Sequence, residues 1–307
     1  MRVAWFSPLP PDRSGIAAYS ADLLPGLADA HDIDAFVDDG DAGTGADAAT
    51  EIPGVRVLGA HDFPWRHFRR PYDVTVYQLG NNLCHDYMWP YLVRYPGLVT
   101  LHDAQLHQAR ARGLLRRLRH ADYRNEFRYS HPEVNAGAAE LVISGLCQSV
   151  FYLWPMTRIP IEASRAVGVH NAWLARELSG AYPGRTILHI HQGVPDVLAA
   201  TGAPAAEVRR RHRIPDDAVV FGAFGRVTPE KSLSKVLSAM AQVARDLPNL
   251  WLLVVGDIPP YYDLAREARY LGIADRVQIT GYVADEALAE YLRAVDVCVN
   301  LRWPTSR

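Results

Sequence analysis

Val219-Val-Phe-Gly-Ala-Phe-Gly-Arg-Val-Thr-Pro-Glu-Lys-Ser232 is the stretch from which this chain is read. An apolar run of strand length stops at Gly225, and two cations, Arg226 and Lys231, follow it. Ser232 then opens a helical pattern of Leu233, Val236, Leu237, Met240 and Val243. The order is a strand feeding an anion-binding loop and a helix, whose amino end adds free N–H groups and a favourable dipole for a diphosphate. Of the 32 basic residues only Lys231 and Lys235 are lysines, so a lysine here is a chemical choice. It sets a compact point charge beside a bidentate guanidinium. The alternative is a loop of merely solvated cations, with Lys231 and Lys235 one helical turn apart on a wet face.

Outward from this stretch the chain repeats strand then helix, the pattern of doubly wound α/β layers with parallel sheets. Strands are expected over Arg2–Phe6, Ile33–Val37, Val55–Leu58, Val74–Gln78, Leu98–Leu101, Val167–Val169 and Thr186–Ile190, with helical patterns between most of them. A second, more regular set covers Val219–Phe224, Leu250–Val255, Val277–Thr280 and Val295–Val299, with helices near 232–246, 261–271 and 285–293. Gln192–Ala206, rich in Gly and Pro, reads as the boundary between two Rossmann-like domains, 1–195 and 196–307. Asp38–Ala49, acidic and Gly/Ala-rich, reads as a surface excursion, and its glycines lack the spacing of a dinucleotide fingerprint.

The composition, 307 residues with 49% hydrophobic and 21% charged, is that of a globular protein of about two domains. A net charge of −2 and the lack of any DNA or RNA motif speak against a nucleic-acid partner. Cys84, Cys147 and Cys298 are scattered, which fits a reducing cytoplasm and no structural zinc. The opening Met-Arg-Val-Ala-Trp-Phe-Ser-Pro is too short for a secretion signal and is shaped like a first strand. Ala136–Met156 is apolar for about the length of a membrane span, but it carries Glu140 and Gln148 and reads as a buried helix.

In the first domain, Pro8–Gly15 follows the first strand at the carboxyl edge where open α/β sheets bind ligands, and Gly15 permits close backbone approach. A plain Pro-rich turn is the other reading. Leu98-Val-Thr-Leu-His102-Asp103 ends an apolar strand in an imidazole and a carboxylate, either facing a ligand or serving as structural hydrogen-bonding groups. His102, Asp103 and His107, or His189 and His191, could be taken for metal ligands. Alternation along a strand and the missing further partner argue against both, and no metal is expected. Seven arginines between Arg110 and Arg128 are interleaved with Leu114, Leu115, Leu118, Tyr123 and Phe127. They form either a solvated helix face or a contact for an anionic acceptor or the inner membrane surface.

Together these segments resemble the retaining GT-B glycosyltransferases of family 4, the group 1 glycosyl transferases. The likeness is carried by Arg2–Gly15, Thr100–Asp103, the connection His189-Ile-His-Gln-Gly-Val-Pro195, and the strand ends Phe221–Ser232, Val254–Asp257 and Thr280–Val283. The resemblance implies two domains facing a cleft and transfer, with retention, of a sugar from a nucleotide-diphosphate donor to a hydroxyl of a carbohydrate, lipid-linked or other acceptor. It implies no cofactor, because Arg226 and Lys231 would stabilise the departing diphosphate in place of a metal. It implies His102 on the transferring sugar, Gly15 on the donor, and Asp257, Tyr282 and Val283 around the nucleotide. Ser14, Tyr19 and Asp103 fall on the acceptor side. The family's pair of glutamates beyond the strand matching Val295–Asn300 has no counterpart before Arg307, so the expectation is a chain cut short in its second domain, with a naturally short relative as the other reading. Two other readings share the architecture: a sugar-nucleotide epimerase using Asp103 and Asp257, and a non-catalytic nucleotide-sugar-binding fragment.

Overall fold

The computed structural model describes residues 1–40, 51–146, 150–193 and 203–301. Outside them lie most of the acidic loop read over Asp38–Ala49, Cys147, part of the expected boundary and Trp303–Arg307. The described chain divides into two compact units, residues 1–193 and 203–301.

In the first unit, β1 (Arg2–Phe6), α1 (Gly15–Ala28), β2 (Asp32–Val37), β3 (Val55–Gly59) and α2 (Phe63–Arg69) build one half of a sheet. The other half comes from β4 (Val74–Leu79), α3 (Met88–Arg94), β5 (Leu98–Leu101), β6 (Ala166–Val169), and β7 (Ile187–His189). Between β5 and β6 stand α4 (His107–Arg116), α5 (His120–Ser130), α6 (Gly137–Ile143), α7 (Val150–Leu153) and α8 (Arg158–Ala163); α9 (Ala172–Ala181) joins β6 to β7. All strand pairs are parallel, in the order β3-β2-β1-β4-β5-β6-β7. The order reverses between β1 and β4, which opens a crevice at their carboxyl ends. β1 is buried at every position, as a central strand covered on both faces must be. Phe6, Phe36, Tyr77 and Leu101 pack one face of the sheet; Val3, Trp5, Ile33 and Val76 pack the other.

The second unit holds α10 (Ala205–Arg211), β8 (Val219–Phe224), α11 (Leu233–Val243), β9 (Leu250–Val255), α12 (Leu264–Tyr270), β10 (Val277–Ile279), α13 (Asp285–Ala294) and β11 (Val297–Cys298). Its parallel sheet runs β10-β9-β8-β11, so the reversal falls at β8 and places the loop after Phe224 at the switch point. α11 buries Leu233, Val236, Leu237 and Met240 against Leu252 and Val254. The expected strands are all present, with Val295–Val299 reduced to two residues.

Ala136–Met156 is not one buried helix. It breaks into α6 and α7, with Gly145 at φ +69°, and Glu140 is exposed in an ion pair with Arg124. No helix among the described residues is long and apolar enough to cross a membrane.

Candidate functional site

At the rim of the second sheet, β8, β9 and β10 each end in a glycine with positive φ: Gly225 at +81°, Gly256 at +152° and Gly281 at +74°. A Cβ on Gly256 would lie 2.2 Å from the Gly225 carbonyl oxygen, so this close approach of two strand ends excludes any side chain. The Gly225 amide donates to Val255 O, and Val227 N donates to the backbone oxygen of Asp257 at 2.8 Å. These bonds pin the loop that carries Arg226. Arg226 is exposed and makes no ion pair among the described residues. Lys231 ends a 3-10 turn, Pro229–Lys231, and its ammonium folds back to donate to Phe224 O, beside the Cα of Gly225. Ser232 then takes a left-handed conformation (φ +54°), and no side chain caps the amino end of α11. The amino end of α11 thus follows the Arg226–Lys231 loop directly. Asp257 is exposed, Tyr282 is 57% exposed, and Val283 is half-buried behind Gly281. The two cations, three glycines and uncapped helix end make a surface into which an anion can press against backbone.

At the rim of the first sheet stand imidazoles, an amide and a carboxylate. Parallel register pairs Leu101 with Val169, so the next residues, His102 and His170, emerge side by side with ring centroids 4.8 Å apart. Tyr19, on the inner face of α1, stands edge-on to both rings. Gln78, 1% exposed, places its side-chain oxygen 2.7 Å from His102 Nε2, and its backbone oxygen accepts from His85 Nδ1 at 2.9 Å. Burial pushes the His102 imidazole down to about 3, with His170 and His85 adding, and burial pushes His85 to about 4. Both rings are uncharged near neutral pH. Asp103 Oδ2 accepts from Asn81 N at 2.7 Å, and Asn81 Oδ1 accepts from Ala109 N, so this carboxylate ties the ends of β4 and β5 to α4. Ser14 is the N-cap of α1, accepting from Ala17 N at 3.1 Å. Gly15 is exposed, and a Cβ there would meet nothing within 4 Å. Gly80, after β4, is closely packed: a Cβ there would lie 2.3 Å from Ile16 Cδ1 and 3.0 Å from His85 Nε2, so side chains of α1 and of the segment after β4 crowd this strand end.

The structure thus gathers Tyr19, His102 and Asp103 with Gln78, Gly80, His85 and His170, and gathers Arg226, Lys231, Asp257, Tyr282 and Val283 with Gly256 and Gly281. Sequence reading missed Gln78, Gly80 and His170, although each follows or ends an apolar strand, the signal that singled out His102. No cluster of three metal-ligating side chains exists among the described residues. His107, on α4, bonds Trp154 O and the Tyr123 hydroxyl as an internal strut. His189 and His191 lie ring against ring, 4.5 Å between centroids.

The arginine-rich region is largely paired. Arg110 is buried with Asp86 and Glu126, Arg117 meets Asp86, Arg119 meets Asp122, and Arg124 meets Glu140. Arg110, Arg117 and Arg119, with Arg94 and Arg185, line an open groove of about 1110 Å³ opposite Asp38, Asp39, Asp86, Glu126 and Glu162, a charge-balanced surface rather than a basic one.

A family profile described as glycosyl transferases group 1 matches residues 205–302. D-inositol 3-phosphate glycosyltransferase of Geodermatophilus obscurus is 35% identical over 154 residues, 46% of this chain and 34% of that protein. The chain spans less than half the length of the curated relatives it matches. Among solved structures, sucrose-phosphate synthase from Thermosynechococcus elongatus is similar with a TM-score of 0.62 at 17% identity, covering 97% of this chain and 74% of that one. HepE from Anabaena, in complex with UDP-glucose, gives 0.60 at 16% identity, with 97% and 73% covered. Residues 205–302 are therefore similar to the glycosyl transferases group 1 domain, and the described chain has the α/β fold of the GT-B glycosyltransferases.

Proposed function

We propose that this protein is a retaining glycosyltransferase of family 4 that moves a sugar from a nucleoside-diphosphate donor to an acceptor hydroxyl. On this reading residues 196–307 bind the donor and residues 1–195 the acceptor. The observation that carries it is the glycine-lined rim after β8, where Arg226 is exposed and Lys231 hydrogen-bonds a neutral carbonyl at Phe224. Exchanging that carbonyl for a phosphate oxygen brings the ammonium against a full negative charge.

Breaking the sugar–phosphate bond leaves negative charge on the departing diphosphate. Arg226 would grip it through two N–H groups and Lys231 would add a movable point charge, both stronger in the transition state than in the ground state. Fixed cations then do what a metal does elsewhere, and the reaction asks for no cofactor. His102, uncharged, would orient the transferring sugar through one of its hydroxyls. Tyr282 and Val283 would meet the base, Asp257 and Gly15 the donor, and Ser14, Tyr19 and Asp103 the acceptor.

The Geodermatophilus relative is named for D-inositol 3-phosphate and HepE was solved with UDP-glucose, which supports a polyhydroxylated acceptor, free or lipid-linked, and a uridine diphosphate sugar as first probes. The protein would act in the cytoplasm. Contact with an anionic membrane draws less support from Arg110–Arg128 than the arginine count suggested, since four of the seven are ion-paired.

The test incubates the chain with UDP-glucose or GDP-mannose and a panel of cyclitol, sugar and glycolipid acceptors. Release of nucleoside diphosphate that depends on acceptor, with an α-linked product, is the expected result. Epimerised donor formed without acceptor, or donor binding without turnover, would contradict it.

A further inference from the structure

β4 and β5 run in parallel register with Gln78 opposite Thr100, and His102 N donates to Leu79 O at 2.9 Å, so the imidazole folds back over the Gln78 side chain. Gln78 is enclosed. It is 1% exposed, and its backbone oxygen is held by His85. An amide oxygen only accepts, so its contact with His102 Nε2 puts the ring proton on Nε2 and leaves a lone pair on Nδ1.

We infer that Gln78 is a positioning residue that holds His102 in the neutral Nε2–H tautomer, so that Nδ1 accepts a hydrogen bond from a sugar hydroxyl and the imidazole never serves as a proton donor or base. The inference rests on the reading of His102 as a group that touches the transferring sugar. In histidine sites that move protons, a carboxylate commonly stands behind the ring and raises its basicity. Here the group behind the ring is an uncharged amide. The neighbours from other elements do not favour a cation either. They are His170 after β6, His85 after β4 and the edge of Tyr19 from α1, while the Asp103 carboxylate accepts from Asn81 N. Burial and the two histidines hold His102 far below its usual value, which agrees with the geometry. A site of this kind distinguishes sugars by where a hydroxyl projects, and its contribution is flat across neutral pH.

The decisive experiment is a nitrogen–proton correlation spectrum of the histidine rings in the 307-residue chain, with His102 assigned through His102→Gln. The expected wild-type pattern is a single neutral Nε2–H tautomer, unchanged from pH 7 to pH 5. Gln78→Glu sets a carboxylate behind the ring, and His102 then becomes doubly protonated within that range, a shift of its titration upward by at least about two pH units. Saturating UDP-glucose or GDP-mannose should move the Nδ1 resonance of the wild-type chain. A wild-type ring protonated on Nδ1, or cationic near pH 7, overturns the inference, and so does an Nδ1 resonance that no bound sugar nucleotide moves. If Gln78→Glu does not fold, the wild-type tautomer decides alone. Calorimetric binding of the diphosphate to the second unit is a separate readout. Its loss with an Nε2–H ring would sink the proposed function and not the tautomer, and the reverse pattern would sink the tautomer alone.

Discussion

At the rim of the seven-stranded sheet the strand ends carry Gln78, His102 and His170, whose rings and amide are held by one another and by backbone carbonyls. At the rim of the four-stranded sheet they carry Gly225, Gly256 and Gly281, with Arg226 standing outside them in solvent. Both rims lie along the carboxyl ends of a parallel sheet, to one side of its reversal of strand order, so topology does not separate them. What separates them is the ligand each can take. A buried amide and the imidazole it holds discriminate hydroxyls by direction. Bare backbone flanked by cations accepts a phosphate of any nucleotide and leaves finer selection to other residues.

Acid should act most strongly on this contrast. Burial holds His102 at about 3 and His85 and His107 at about 4 in the fold, against about 6.5 when unfolded. Below about 6.5 the unfolded chain takes up protons that the folded rings refuse, so stability is full above that pH and falls as pH drops toward 4. At pH 5 each ring costs up to roughly 2 kcal/mol. Asp12 and Asp38, whose carboxyls burial pushes up, offset part of this at lower pH. In the second unit the one histidine among the described residues, the half-buried His212, is lowered. Proteolysis at pH 5 should cut residues 1–193 first, and earlier loss of 203–301 would break the comparison.

Gly256→Ala comes next in size. Its Cβ would fall 2.2 Å from the Gly225 oxygen, and a cost of roughly 2–4 kcal/mol in urea unfolding is expected. A cost under about 0.5 kcal/mol would mean that the strand ends are not so closely joined. Arg226→Ala should leave unfolding nearly unchanged, while Lys231→Ala, which loses the bond to Phe224 O, should cost roughly 1–3 kcal/mol; each should weaken nucleoside-diphosphate binding by roughly 10- to 100-fold, more at low salt than at high. Gly15→Ala should have the smallest effect. The added methyl meets nothing within 4 Å at the start of α1, so stability should hold or rise by about 0.4–1 kcal/mol. Weaker ligand binding in that stable variant would show a substrate pressed against the Gly15 backbone.

Much of this was legible in the sequence because parallel strands covered on both faces are continuous apolar runs, and the residues just after each run stand at a rim. Gly225, Arg226 and His102 were found that way, and His170 after Val169 carries the same signal. Pairing across distant elements was not legible. Seven arginines from Arg110 to Arg128 read as a basic face, but Asp86, which neutralises two of them, belongs to the segment after β4 and meets them only through the packing of α4. Ala136–Met156 read as one helix because apolar composition does not reveal a left-handed turn at Gly145 that ends α6. Gln78 escaped notice because a polar residue near a strand end is informative only once its contact is known.

The most direct test of the account is a calorimetric titration of the chain with uridine, guanosine and adenosine diphosphates, with Arg226→Ala and Lys231→Ala measured alongside. Saturable binding of at least one, lost or weakened at least tenfold in either substitution while the fold persists, is the predicted result. A folded chain that binds none of them, or one that binds equally well without Arg226 and Lys231, would contradict the assignment of this rim to the donor diphosphate.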